Sequence, residues 1–281
     1  MAMIRSRILL PAIMLLLLSR VGLGDSQPAG QASATDLIKA VIRNELNSPQ
    51  TTDIRWSYRS EKQVDGKQET REVVETKSGS LNRLVAVGGK PLTEAQQRQE
   101  ADRILRVSRN ADEQRKLEHA HQKDVQQCNS FLQMIPHAFL FEYAGTNGEL
   151  TKVTFKPNPS FQPPSFEGKI LHQMSGEIWI DTQQQRLASI DGQLLNDVKL
   201  AGGLLGHLEK GGQFVVKRDE IAPGHWESVE VTVNMRGKAL LFKTIAIQQK
   251  EIHTNFQSVP DDLTLSDAAG LLLKQVFIAE R

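Results

Sequence analysis

Between Ser228 and Arg236 the chain alternates with a period of two. Val229, Val231, Val233 and Met235 fall between Ser228, Glu230, Thr232, Asn234 and Arg236. One face of such a segment seeks a core and the other seeks water, as in an antiparallel strand with one solvated side. The pattern continues, broken by turns, from Gly176 to Val259. Strands are expected at Gln173–Asp181, Arg186–Gln193, Gln213–Ile221, His225–Arg236 and Ala239–Ile252, with turns at Pro223-Gly224 and Gly237. Parallel strands buried on both faces would read as continuous apolar runs, so the sheet is antiparallel.

The first half supplies further strands at about Asp53–Gln63, Glu69–Lys77 and Leu81–Val87, with turns at Asp65-Gly66 and Ser78-Gly79. His137–Tyr143 and Leu150–Lys156 flank a Thr146-Asn147-Gly148 turn. Helices are expected in three places. Leu37, Ile38, Val41, Ile42 and Leu46 share one face of a helix capped by Thr35 or Asp36 and stopped by Asn47-Ser48-Pro49. Thr93–Gln127 is rich in Glu, Gln, Arg and Lys, starts with a Thr93/Gln96 capping box and is expected to break near Ser108–Asp112. Its continuation through Phe131, Leu132 and Ile135 is apolar enough to dock on the sheet, and Pro136 is expected to close it. Ser266–Ile278 reads as a last amphipathic helix. Pro157–Phe166 reads as an irregular loop, and Leu200–Leu208 as a short helix or loop. No fixed-period repeat argues for a solenoid or propeller.

Residues 1–24 read as a secretory signal: Arg5 and Arg7, the apolar run Ile8–Leu18, then small Gly22 and Gly24. A bilayer-spanning helix needs about 20 apolar residues, and Ser19 and Arg20 end this run sooner. Residues 25–34 read as a flexible leader, leaving 35–281 as a single domain with a helical insertion at about 93–135. The expected address is therefore the periplasm or the exterior. Cleavage after residue 24 removes Arg5, Arg7 and Arg20 and no acid, lowering the formal net charge from +1 to −2. Such a balance argues against a general nucleic-acid binder. Cys128 is the only cysteine, so no internal disulfide forms, and its helical setting makes it a packing residue.

A catalytic constellation is not readable, and the expectation is a protein that is not an enzyme and uses no cofactor. His119 and His121 would point apart on a helix. His137, His172, His207, His225 and His253 are dispersed, without HExxH or a cysteine pair. There is no G-x-S-x-G elbow, and the glycine pairs at 88–89, 202–203 and 211–212 lack a phosphate loop's context. An outer-membrane barrel is disfavoured because Lys217, Arg218, Asp219 and Glu220 crowd one strand.

Aromatic residues in strands are the remaining signal. Trp56, Tyr58, Phe139, Phe141, Trp179, Trp226 and Phe242, with Tyr143 and Phe214, are expected on a concave face, where the first seven are candidate cavity-lining residues for an apolar ligand. The helix over Asp124–Ile135 and the Pro157–Phe166 loop are candidate covers.

Gly176-Glu177-Ile178-Trp179-Ile180-Asp181, continued by Arg186-Leu187 and Asp191-Gly192, resembles a strand pair of the LolA-like superfamily. That group includes lipoprotein-sorting carriers, outer-membrane lipoprotein receptors and MucB-type regulators. The order of signal, short helix, strands, helical insertion and strand meander is similar too, over most of residues 35–260. More closely, the mature chain resembles a group of exported acidobacterial proteins. The resemblance implies a mainly β fold with helices (α+β), an antiparallel unclosed β half-barrel covered by helices. It also implies non-covalent binding of a lipid, a lipoprotein's acyl chains or another apolar envelope component. The alternative is a structural or regulatory envelope module with a self-filled core, contacting a protein partner through the polar helix.

Overall fold

A computed structural model describes residues 33–47, 54–200, 206–239 and 243–279. The expected signal, the leader up to residue 32 and Phe242 lie outside the described residues. The strands are β1 (Ile54–Val64), β2 (Lys67–Thr76), β3 (Gly79–Val87), β4 (Lys90–Pro91), β5 (Phe139–Asn147), β6 (Leu150–Pro157), β7 (Met174–Asp181), β8 (Arg186–Leu194), β9 (Val198–Leu200), β10 (Gly206–Leu208), β11 (Gln213–Ala222), β12 (His225–Ala239) and β13 (Lys243–Pro260). They form one sheet in the order β4-β3-β2-β1-β13-β12-β11-β8-β7-β6-β5, with β10 on β12 and β9 on β10. Every pairing is antiparallel, and the two ends do not meet. The fold is thus mainly antiparallel β with helices, an unclosed half-barrel.

Register decides which side chains share a face. Ser60 lies opposite His253, Lys62 opposite Glu251, Glu251 opposite Val231, and Val233 opposite Phe214. This is the inner face. Toward β5 it carries Phe139, Phe141, Val153, Phe155, Ile178, Ile180, Ile190, Phe214, Val233 and Met235 in one apolar core. Three helices fill that core: α1 (Ala34–Asn47) with Ala34, Ile38, Val41 and Ile42, the end of α3 (Ala111–Ala138) with Ile135 and Ala138, and α4 (Phe166–Leu171) with Ile170 and Leu171.

A second core lies on the reverse face. Val74 pairs with Ser57 and Leu81, one residue out of phase with Tyr58. Val74 and Leu81 pack on Ile104 of α2 (Glu94–Arg109) and on Leu265, Ala268, Ala269 and Leu272 of α5 (Leu265–Ala279). Helix α2 also closes the sheet edge. Glu100 accepts from the Leu84 N–H at 2.8 Å, and Arg103 donates to the Asn82 carbonyl. Edge groups that would otherwise invite another strand are thereby occupied.

Several local expectations change. Ser33, not Thr35 or Asp36, caps α1, accepting from the Asp36 N–H at 3.1 Å, so Ala34 belongs to the helix and not to a leader. The polar helix does break at Asn110, whose side chain caps α3. However, α3 runs through Pro136 to Ala138, because a proline one turn from a helix end forfeits only one hydrogen bond. The expected strand accordingly begins at Phe139 rather than His137. Val198–Leu200 and Gly206–Leu208 are paired strands, not a helix. Gly237 is no turn. It sits inside β12, where an added Cβ would lie 2.4 Å from the His207 carbonyl oxygen of β10.

Candidate functional site on the inner face

The inner face changes character at one strand boundary. Val231 and Val233 on β12 face the apolar side. Their neighbours on β13 are Glu251 and Gln249, followed by His253. Next comes β1 with Tyr58, Ser60 and Lys62, then β2 with Glu69, Arg71, Val73 and Glu75. Half of the face is thus apolar and half is polar or charged.

Glu251 organises the charged half. Its carboxylate accepts from Ser60 Oγ at 2.9 Å, pairs with Lys62 Nζ at 2.8 Å and lies 3.1 Å from His253 Nε2. Burial alone would raise its pKa, but the His253 hydrogen bond and the Lys62 ammonium outweigh that and bring it down to about 2. The other imidazole nitrogen, Nδ1, lies 2.9 Å from the Ser228 carbonyl oxygen. The Ser60 hydroxyl therefore donates to a carboxylate, and both imidazole nitrogens are engaged elsewhere. A serine nucleophile needs its hydroxyl on the base, so this cluster works as an ion-pair network.

Beside it lies a carboxyl pair. Glu75 accepts from the Trp56 N–H at 3.0 Å, and burial pushes its pKa up. Glu227 is raised to about 7, first by burial and then by the charge of Glu75, against the pull of Arg218, His253 and Arg186. The Tyr58 phenol is pushed up by burial and by Glu75, Glu251 and Glu227. Aromatic rings wall this corner. Tyr58 stacks on Phe256 at 5.2 Å and tilts against His253 at 4.8 Å, while Trp56 meets Phe256 and His225 edge-on at 6.4 and 5.8 Å. A bulge at Asn255 (φ +58°) turns Phe256 into that stack, since the β1–β13 register shifts there. Chemically, the corner offers a carboxyl of raised pKa, Glu227, that is felt by the Tyr58 phenol, beside a fixed charged network.

The rim joins this corner to α1. Glu45 pairs with Arg218 at 2.6 Å and Arg186 at 3.4 Å, and accepts from the Leu187 N–H at 3.1 Å. Arg218 donates to the Trp226 carbonyl at 2.6 Å, and Trp226 Nε1 donates to Gln184 Oε1 at 3.0 Å.

The aromatic residues expected to line one cavity are dispersed. Trp56 and Tyr58 lie in the charged corner and Trp226 at the rim. Phe139 and Phe141 are core residues, packed at 6.1 Å on each other and, for Phe139, at 4.6 Å on Phe155. Trp179 does not face the hollow. It stands between Ile178 and Ile180, which both point inward, and on the reverse face its Nε1 donates to Glu177 while Lys152 Nζ sits 5.4 Å over the ring. Cys128 is exposed, contrary to the packing role expected of it. The residues that organise the corner, Glu251, His253, Glu227, Glu75, Lys62 and Ser60, carried no sequence motif. The one available signal was a cluster of ionisable residues at period two in long strands.

Among the described residues no group of three or more His, Cys, Asp or Glu is placed to hold a metal ion, and no helix is long and apolar enough to cross a membrane. No protein family and no curated protein sequence matches this chain. Among solved structures, a DUF1329 family protein from Desulfovibrio piger is similar over 81% of this chain and 93% of that one, at 9% identity and a TM-score of 0.27. At that score the likeness carries no functional argument.

Proposed function

We propose that this protein is an exported envelope protein that binds or carries an amphiphile on the inner face of its half-barrel, without catalysis. The ligand would be a lipid, the acyl chains of a lipoprotein or another apolar component. The carrying observation is the boundary between β12 and β13, where the apolar row through Val231 adjoins the charged row through Glu251. Val216, Val231 and Ile247 at that boundary are only partly buried. An acyl chain gains about 0.8 kcal/mol per methylene removed from water, while its head group meets a polar surface on adjacent strands. Helix α1 is the element such a ligand would displace, because side chains alone hold it to the sheet.

Native mass spectrometry of protein isolated from its own envelope tests this reading. A co-purifying acyl lipid, replaceable by a fluorescent fatty acid, is expected. Protein that carries no lipid and binds no fatty acid after gentle delipidation would remove the proposal.

A second reading is favoured by α3. Its only buried residues are Ile135 and Ala138, in its last turn, and Phe131, Leu132 and Met134 pack on the core just before them, so the stretch from Ala111 to Ser130 is a largely solvated face. An interaction module with a self-filled core would use that face for a protein partner. Pull-down with charge-reversed α3 variants, run beside the lipid assay, separates the two.

A further inference from the structure

The sheet parts at one place on the inner face. The ladder between β12 and β13 ends at Glu230 and Ile252, although β12 begins at His225 and β13 runs on to Pro260. Past that point β12 stays with β11, as far as His225 opposite Ala222, while β13 stays with β1, as far as Pro260 opposite Ile54. The His253 ring spans the parting, its Nδ1 2.9 Å from the Ser228 carbonyl oxygen. Side chains from four strands gather here: Trp56 and Tyr58 of β1, Glu75 of β2, His225 and Glu227 of β12, and Phe256 of β13. The His225 and Trp56 rings lie 5.8 Å apart, and Glu227, two residues along β12, shares the face of His225. The Glu75 carboxylate joins the group through the Trp56 N–H at 3.0 Å.

Three of these groups lack partners. Neither Glu75 nor Glu227 makes an ion pair among the described residues. The largely buried Tyr58 phenol feels the charges of both, yet its hydroxyl makes no hydrogen bond among the described residues, and neither does the Glu227 carboxyl. Polar groups in such places are normally satisfied. They remain open to a ligand, because the only partnerless side-chain atoms sealed from solvent among the described residues are Arg83 Nε and Gln173 Oε1. The cations nearby are committed elsewhere. Lys62 and His253 are held by Glu251, Arg186 and Arg218 by Glu45, and Arg55 Nε donates to the Asp261 carbonyl. The carboxyl pair thus calls for a cation from outside. The adjoining rings of Trp56, Tyr58 and Phe256 suit an organic ammonium, and the free phenol oxygen calls for an N–H, which a quaternary ammonium lacks.

We propose that the parted end of β12 and β13 receives the primary ammonium head group of an amphiphile, whose N–H groups donate to Glu227, Glu75 and the Tyr58 hydroxyl. This rests on the amphiphile reading and names the head group for it. The acyl or alkyl chain then lies over Val231, Val216 and Ile247, on the apolar side of the same strands. A fatty acid enters through its chain alone and is held more weakly.

Calorimetric titration of the delipidated protein with decylamine, decyltrimethylammonium, decanol and decanoate, all below micelle formation, tests the head group. Decylamine should bind more tightly than each of the others, by about tenfold or more over decanol. Glu227→Gln should narrow that preference by about tenfold, and Tyr58→Phe, which keeps the ring and loses only the acceptor, by about threefold. If either variant fails to fold, the ranking of the four ligands on the unaltered protein still decides the matter. Decanol or decanoate bound as tightly as decylamine would overturn the ammonium site and leave the amphiphile reading standing, whereas binding of none of the four would remove both. Decyltrimethylammonium bound as tightly as decylamine would show that no N–H is read. Ethanolamine bound as tightly as decylamine would make the ligand a small free amine, and either result overturns the proposal.

Discussion

Glu45, near the end of α1, holds Arg218 of β11 at 2.6 Å with its side chain 7% exposed. The same carboxylate reaches Arg186 and the Leu187 N–H, so one residue ties a helix to two strands. Removing it would leave two guanidinium groups in a poorly solvated place. Glu45→Gln is therefore expected to destabilise the fold by about 3 kcal/mol, read as a lower denaturant midpoint with an unchanged slope. A double-mutant cycle with Arg218→Met should recover part of that loss, since one of the two guanidinium charges would then be gone.

The two perturbed glutamates predict opposite pH dependences. Glu227 is raised from 4.5 to about 7 in the folded chain. Between those values the folded state holds more protons than the unfolded one, so stability falls as pH rises through that window. Glu251 is lowered from 4.5 to about 2. Its contribution is complete above 4.5 and is lost as pH falls toward 2. Taken together, these groups place maximal stability near pH 4.5. Glu227→Gln should flatten the upper limb, stabilising the protein at pH 8 by about 2–3 kcal/mol and changing little at pH 4. Glu251→Gln should instead destabilise it at pH 7. Thermal unfolding across pH for the three proteins checks both signs.

Gly176 opens the strand motif and pairs directly with Gly192. A Cβ at Gly176 would lie 1.9 Å from the Asp191 carbonyl oxygen, and one at Gly192 would lie 2.2 Å from the Phe214 ring. Backbone, not a flexible side chain, blocks the first. Gly176→Ala is expected to cost about 2–3 kcal/mol and to lower the melting temperature, whereas Gly148→Ala, in an open turn with no atom within 4 Å, should cost less.

Much of the fold was legible because antiparallel strands with one wet face announce themselves by alternation, and Asp65-Gly66 and Pro223-Gly224 mark real turns. The site was not, and β13 explains why. Ile247 packs toward the inner core, yet half-buried Ile252 lies on the reverse face, opposite Glu230. The rule that apolar means inward therefore inverts within a single strand, and it hides Glu251 and His253 as solvated residues. Trp179 fails for the related reason that a large aromatic was expected inside, although its two isoleucine neighbours already hold that side. Gly237 was read as a turn because close backbone approach and a turn both demand glycine, and only the crossing of β10 tells them apart.

Quenching of single-tryptophan variants by a spin-labelled fatty acid tests the central claim most directly. Trp56 and Trp226 border the charged corner and the rim, whereas Trp179 stands on the reverse face under Lys152. Saturable quenching of Trp56 and Trp226 with Trp179 spared is the expected result. Quenching of none of them, or of Trp179 as strongly as the other two, would contradict an amphiphile held on the inner face.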